Sequence, residues 1–342
     1  MKLKISSIVK YVFLIVFGIL MYLFFYPRTY LVAPMKEREG IGYWSLTTGS
    51  RIAFTFLEGK GIRKPYPVIY LHGGPGGFIS DQNITTLLPL TEDGFDVYLY
   101  DQAGSGHSTR LKDIKEYTAD RHKRDLEEIV KEIGARKVIL IGQSWGAILA
   151  TLFAADDPGK VAKIILTSPG PIQPVKEELA DLKEPENLHL RKPEYSNSEA
   201  NEKVQNVRSN LIARTALLFG WKLASDKEAD DFQTCLNREL NKSTVCDTSN
   251  ALEAEGGGGY YAQIMTVQSL SGIQDPRPKL KDSHLPVLVM KGQCDNQKWG
   301  FTNEYLQLFP NYKFEVIPGA GHSISIEQPA LYLKTIRDFL KE

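Results

Sequence analysis

The segment from Val138 to Ala155 constrains this chain more than any other. Val138 to Ile141 is a short apolar run that reads as a buried strand, Gly142-Gln143-Ser144-Trp145-Gly146 follows, and Ala147 to Ala155 is a helix-forming run. A chain that passes from strand to helix within five residues must turn sharply. Glycines on either side of the serine fit that demand, because a side chain at either place would collide with neighbouring backbone. Ser144 then stands at a helix N-terminus, where the aligned peptide dipoles favour developing negative charge. It is the candidate nucleophile.

Other short apolar runs lack alternation: Val68 to Leu71, Val97 to Tyr100, Ile164 to Leu166 and Val287 to Met290. Such runs suit parallel strands buried on both faces. Between them lie helical patterns. The clearest is Thr118 to Ile133, with Leu126, Ile129, Val130 and Ile133 on one face and Gly134 as a stop, and another follows Pro329 at the end of the chain. The alternation predicts an α/β fold with a mostly parallel sheet and helices on both faces. Tyr43 to Thr48 and Arg51 to Leu57 alternate around Gly49-Ser50 and predict an antiparallel hairpin that opens the sheet.

From Pro171 to Lys281 the strand signal gives way to a charged, helix-prone stretch that ends near Asp275-Pro276-Arg277-Pro278. It predicts a helical cap inserted into the sheet domain. The expected division is an anchor and linker over 1–34, a core in two parts over 35–170 and 282–342, and the cap over 171–281. The four glycines Gly256 to Gly259 are expected to form a flexible joint.

Ile8 to Tyr26 is apolar or aromatic except for Lys10, and Lys2 and Lys4 precede it. At about 1.5 Å per residue, a helix of this length reaches roughly 28 Å, close to the hydrocarbon thickness of a bilayer. The stretch exceeds a typical signal-peptide core, and no small-x-small cleavage site follows Tyr26. The expectation is a single-pass anchor over residues 8–26 with a cytoplasmic N-terminus and an extracytoplasmic remainder.

Equal numbers of acidic and basic residues, 41 each, give a formal net charge of zero, which removes the electrostatic argument for nucleic acid as a partner. A small molecule or short peptide is the expected substrate. Of three cysteines, Cys235 and Cys246 are close enough in sequence to be able to pair in an oxidising compartment, though the sequence does not decide whether they do, and Cys294 is expected to be a packed small residue. No Cys or His cluster has metal-ligand spacing, so no structural zinc site is expected, and acyl transfer through a serine requires neither a metal nor an organic cofactor.

His72-Gly73-Gly74-Pro75-Gly76-Gly77 directly follows an apolar strand, and its glycines let backbone N–H groups face a reacting carbonyl. The amides of Gly74 and Trp145 are the expected oxyanion donors. Where a serine stands on such a turn, the chain order is serine, acid, histidine. Of six histidines only His322, in the loop Gly319-Ala320-Gly321-His322, lies after Asp295, which itself follows the strand Val287 to Met290 through a short turn. His322 is the candidate base and Asp295 the acid that orients it. His107, His122, His189 and His284 are expected at the surface or in turns, and His72 is expected to shape its own loop.

Together these motifs resemble the proline iminopeptidase group of α/β-hydrolases, the S33 serine peptidases, which combine a His-Gly-Gly-Pro-Gly loop with Gly-x-Ser-Trp-Gly. Asp101-Gln102-Ala103-Gly104-Ser105-Gly106-His107-Ser108 is similar to that family's Asp-Gln-Arg-Gly-x-Gly-x-Ser, and Gly319-Ala320-Gly321-His322-Ser323 matches its histidine loop. The resemblance covers roughly residues 50 to 170 and 285 to 340. It implies an α/β-hydrolase fold, a Ser144–Asp295–His322 triad and hydrolysis through an acyl-enzyme.

This chain departs from the family in two places. Ala103 stands where the family has arginine, and the cap lacks the Trp-Glu pair whose carboxylate binds a substrate amine; Glu255 is the candidate in its place. The resemblance therefore leaves three expectations: an aminopeptidase of proline iminopeptidase type, a carboxylesterase or lipase working near the membrane, and a non-catalytic binding protein on a hydrolase scaffold.

Overall fold

In a computed structural model that describes residues 5–342, eight strands form one sheet in the order β1-β2-β4-β3-β5-β6-β7-β8. They are β1 Ile41–Ser45, β2 Arg51–Leu57, β3 Val68–Leu71, β4 Val97–Tyr100, β5 Val138–Gln143, β6 Val161–Thr167, β7 Val287–Gly292 and β8 Tyr312–Ile317. The pairs β1–β2 and β2–β4 are antiparallel, and every other pair is parallel.

The helices are α1 Ile5–Phe25, α2 Asp81–Leu87, α3 Ala119–Ile133, α4 Trp145–Asp156, α5 Asn197–Val204, α6 Val207–Phe219, α7 Asp226–Leu240, α8 Tyr260–Ser269, α9 Arg277–Leu280, α10 Trp299–Leu308, α11 Ile324–Glu327 and α12 Pro329–Lys341.

The non-alternating strands are explained by the two cores. Ile69, Leu71, Leu140, Ile164 and Leu166 pack on one face with α3, α4 and α10, whereas Val68, Tyr70, Ile139, Ile141 and Ile165 pack on the other with α2, α11 and α12. Successive side chains of one strand thus enter opposite cores, and neither position can be polar. Helix α3 starts where Thr118 caps it by accepting from Arg121 N–H, and it stops at Gly134, whose φ of 70° is left-handed. In the opening hairpin the first strand lies two to three residues earlier than the alternation suggested. Leu46 to Ser50 are taken by the turn, closed by Leu46 N–H to Ser50 O and Gly49 N–H to Leu46 O.

Between β6 and β7 the chain forms α5 to α9 and short turns. Its own core joins Ile212 and Ala216 of α6, Phe232 and Leu236 of α7, and Tyr261 and Met265 of α8. The glycine run is not a flexible joint. Gly256 N–H donates to Ala33 O, Gly257 O accepts from Gly106 N–H, and Gly259 N–H donates to Gly76 O. A Cβ on Gly259 would lie 2.0 Å from Gly104 O, so the glycines are needed because three backbones meet there.

Helix α1 is long and apolar enough to cross a membrane: Ser7–Phe25 has a mean hydropathy of 2.4 and none of that stretch is buried. A signal sequence near the N-terminus has the same character. Lys2 and Lys4, on which the expected orientation rests, lie outside the described residues. The linker after α1 lies against the inserted helices. Arg28 N–H donates to Glu228 Oε1 at 3.0 Å, the Tyr30 ring packs on Phe232, and Ala33 pairs with Glu255 in an isolated bridge.

Candidate active site

Ser144 sits between β5 and α4 with φ 53° and ψ −114°, a left-handed conformation that costs a non-glycine residue on the order of 1–3 kcal/mol. The flanking glycines are what make the turn possible. A Cβ on Gly142 would lie 2.4 Å from Gly146 O, and one on Gly146 would lie 2.0 Å from Leu71 O. The strain holds the hydroxyl clear of the sheet, and Ser144 lines a cavity of about 670 Å³ together with His322, Gly73, Gly74, Glu253 and Glu255.

Asp295 and His322 come from the ends of adjacent strands, β7 and β8, and meet at 2.8 Å between Oδ1 and Nδ1. Burial pushes the Asp295 carboxyl up, but the charge of Lys291 foremost, then His322 and the Gln297 N–H, outweigh that and hold it at about 2. An ionised carboxylate can only accept, so Nδ1 carries the proton and Nε2 is left as the basic nitrogen. Among the described residues, no hydrogen bond of 3.5 Å or less joins Ser144 Oγ to His322. Serine–histidine contacts are often loose until a substrate is bound.

The oxyanion candidates are open to a ligand. Among the described residues the N–H groups of Gly73 and Gly74 have no acceptor, and Trp145 is the first residue of α4, where the helix supplies none. Gly73 also approaches the serine: a Cβ on it would lie 3.3 Å from Ser144 Cβ. The Trp145 side chain points away, its indole N–H donating to Gln102 Oε1 at 2.7 Å. Gln102 further braces the glycine loop, its N–H donating to His72 Nε2 and its side-chain amide to His72 O. His72 shapes its loop as expected, with Nδ1–H facing Gly73 O at 2.9 Å.

Several expectations require correction. Cys246 pairs with Cys294, with Cα atoms 5.2 Å apart, and Cys235 is free. Closeness in sequence misled because the stretch after α7 folds back onto the histidine loop: Ser323 N–H donates to Thr244 O, while Glu327 accepts from both Gly321 N–H and Cys246 N–H. The disulfide therefore ties the inserted segment to the residue beside Asp295. Its removal by Cys246→Ser is expected to cost about 2–4 kcal/mol, read as a fall in Tm that a reductant reproduces in the parent and not in the variant. His122 is not at the surface. It is buried edge-on to Trp145, bonded to Thr266 Oγ1 at 3.1 Å, and burial holds its imidazole down at about 3.

Three contributors escaped the sequence reading. Arg38, from the linker, is buried and donates to both carboxylate oxygens of Asp101, at 3.2 and 2.7 Å, and to Ile79 O. Asp101 also accepts from Ile79 N–H and His107 N–H, so it pins the two loops beside the glycine turn, and a guanidinium reaches this region although Ala103 stands in the motif. Lys291 is buried at the end of β7 with Nζ 3.1 Å from Asp295 Oδ2 and 2.7 Å from Gln297 O. Glu327 is the hub described above. Only Lys291 left a signal, as a lone cation closing an apolar strand. The expected Glu255 does line the cavity, where its Oε2 lies 3.6 Å from Lys36 Nζ.

Comparison with known proteins agrees with this architecture. A family described as alpha/beta hydrolase fold matches residues 66–329. A proline iminopeptidase of Heyndrickxia coagulans is 28% identical over 296 residues, covering 86% of this chain and 96% of that protein. One from Clostridioides difficile is 25% identical, covering 90% and 99%. A solved esterase from Exiguobacterium antarcticum superposes with a TM-score of 0.57 at 16% identity, covering 88% of this chain and 99% of that one. With strand order, elbow and carboxylate–imidazole pair already in place, the match over most of the chain leads to one conclusion: this protein belongs to the α/β-hydrolase fold family, as a proline iminopeptidase-like member.

Proposed function

We propose that this protein is a serine hydrolase that cleaves short peptides or amides from their N-terminal end through an acyl-enzyme on Ser144. The observation that carries the reading is the strained Ser144 turn facing the same cavity as His322, whose imidazole is bonded behind it to the buried, ionised Asp295. His322 Nε2 takes the hydroxyl proton as Ser144 Oγ attacks the carbonyl carbon. The oxyanion is received by backbone N–H groups, for which Trp145 and Gly74 are the assigned donors, each worth about 3–4 kcal/mol to the transition state. The imidazolium then gives its proton to the leaving amine, water enters, and His322 repeats the cycle on the ester. Asp295 holds the imidazole in the tautomer both halves require.

The aminopeptidase reading draws support from the relatives and from Glu253 and Glu255, carboxylates on the cavity wall where a substrate ammonium would be received. Asn237, Asn241, Asn296 and Gln297 on the same wall offer amide groups suited to a peptide backbone. One observation favours an ester substrate instead: Lys36 already stands by Glu255. A fluorogenic panel separates the two. Release of free proline from a prolyl-arylamide is expected to exceed turnover of acyl esters of similar size, and turnover confined to the esters would contradict the peptidase reading.

The further element of the proposal is location. Residues 8–26 serve as an uncleaved anchor, with the catalytic domain outside the cytoplasm. Support comes from the length and apolarity of α1, its unburied surface, and a disulfide, a bond that persists in oxidising compartments.

A further inference from the structure

Outside α1, exposed apolar side chains concentrate on one part of the inserted helices. Val207, Leu217, Leu218 and Phe219 of α6 are exposed, Trp221 follows them, and Val267 of α8 is next to Gln268, whose side chain donates to Leu217 O. Leu218 is 73% exposed and Trp221 66%. The opposite face of α6, with Ile212, Thr215 and Ala216, is buried in the insertion's core. Asn210 and Arg214 are exposed in the middle of the helix, but its last turn is apolar on the exposed side as well, which a helix end facing only water has no reason to be. Exposed Arg214 and Lys115 border the patch, and the Phe219 and Trp221 rings lie together at 5.5 Å.

The position of α1 indicates what covers this surface. The last turn of α1 is fastened to the start of α6, with the Arg208 guanidinium donating to Phe24 O, bonded to Glu228 at 2.8 Å, and Glu228 in turn accepting from Arg28 N–H. Helix α6 thus begins where α1 ends. Its 13 residues extend about 20 Å from that point, so Leu217, Leu218 and Phe219 at its far end lie within about one helix length of the end of α1. Aromatic residues with flanking cations on one side of a helix are the composition that settles at the boundary between headgroups and acyl chains.

We infer that the exposed face of α6, with Phe219 and Trp221, is a second membrane contact, lying in the plane of the bilayer beside the α1 anchor. The inference rests on the anchor reading of α1. It fixes the orientation of the inserted helices, and hence of the cavity they help to wall, relative to the lipid.

Trp221 provides the test, since Trp145 and Trp299 are buried and Trp44 is half-buried. The full chain is reconstituted into vesicles of phosphatidylcholine and phosphatidylglycerol, with and without phosphatidylcholine brominated near the top of its acyl chains. The emission of the Trp221→Phe variant is subtracted from that of the parent to isolate Trp221. The expected result is flotation with the vesicles, a blue-shifted Trp221 emission, and loss of most of it to the brominated lipid. Flotation with a water-like Trp221 emission that iodide quenches would overturn the surface contact and leave the anchor standing. Flotation with Trp221 shielded from both quenchers would assign the patch to a second copy of the chain, and would equally overturn it. Failure to float would overturn the anchor and the inference with it.

Discussion

Ser144→Ala is expected to lower kcat by about 10⁶-fold while leaving Tm close to that of the parent. The expectation of so large a loss follows from the way the site is built. Ser144 carries the only nucleophilic oxygen assigned to the reaction, and the strained turn that presents it is held by backbone packing of Gly142 and Gly146 rather than by its own hydroxyl. Removing Oγ takes away the proposed bond-forming atom and little else. His322→Ala is expected to match this loss, because a hydroxyl without its base is a poor nucleophile. A variant that retained more than a small fraction of parental turnover would place the chemistry elsewhere.

Lys291→Met is expected to destabilise the protein by about 3–5 kcal/mol at neutral pH, since it leaves Asp295 buried without its cation. In the parent, Asp295 is held at about 2, below its unfolded value. Its contribution to stability is therefore complete above about pH 4 and is lost as the pH falls toward 2. Without Lys291 the burial that already pushes this carboxyl up goes less opposed, so the loss begins at higher pH. Acid unfolding followed by circular dichroism is expected to shift its midpoint upward in the variant. The acid limb of kcat/KM is expected to move the same way, because the proposed mechanism requires an ionised Asp295 to orient His322. An unchanged acid midpoint would mean that Lys291 does not hold the carboxylate in its charged form.

The parts of this molecule that were legible in the sequence are those in which one local demand excludes most residue types. β3, β4 and the Val138 to Ile141 stretch of β5 are apolar because each face of the sheet has its own core, and the Ser144 turn needs glycine at two places where backbone passes within 3 Å of the missing Cβ. The chain order of serine, acid and histidine then leaves His322 alone among six. What escaped depends on meetings between distant segments. Arg38 and Asp101 are 63 positions apart, and no periodicity announces a linker arginine that enters the core. Cys246 pairs across 48 residues with Cys294 because Ser323 N–H holds Thr244 O and the Glu327 carboxylate accepts from Cys246 N–H. Gly256 to Gly259 carry the composition of a hinge, yet the same absence of side chains also allows three backbones to pack.

The inserted segment is fixed to the acid and histidine loops by the disulfide and Glu327, and to the glycine loop by the seam at Gly259. The linker after α1 runs through that assembly instead of hanging from it, ending in the buried Arg38. In the proposed enzyme, the segment that leaves the anchor thus also contributes Lys36 to the cavity wall.

The most direct test of the proposed chemistry is to treat the folded chain with a fluorophosphonate probe and map the adduct by mass spectrometry. The proposed mechanism predicts a single covalent phosphonyl adduct on Ser144, formed much more slowly in His322→Ala and absent in Ser144→Ala. No adduct, or an adduct on another residue that survives Ser144→Ala, would contradict it.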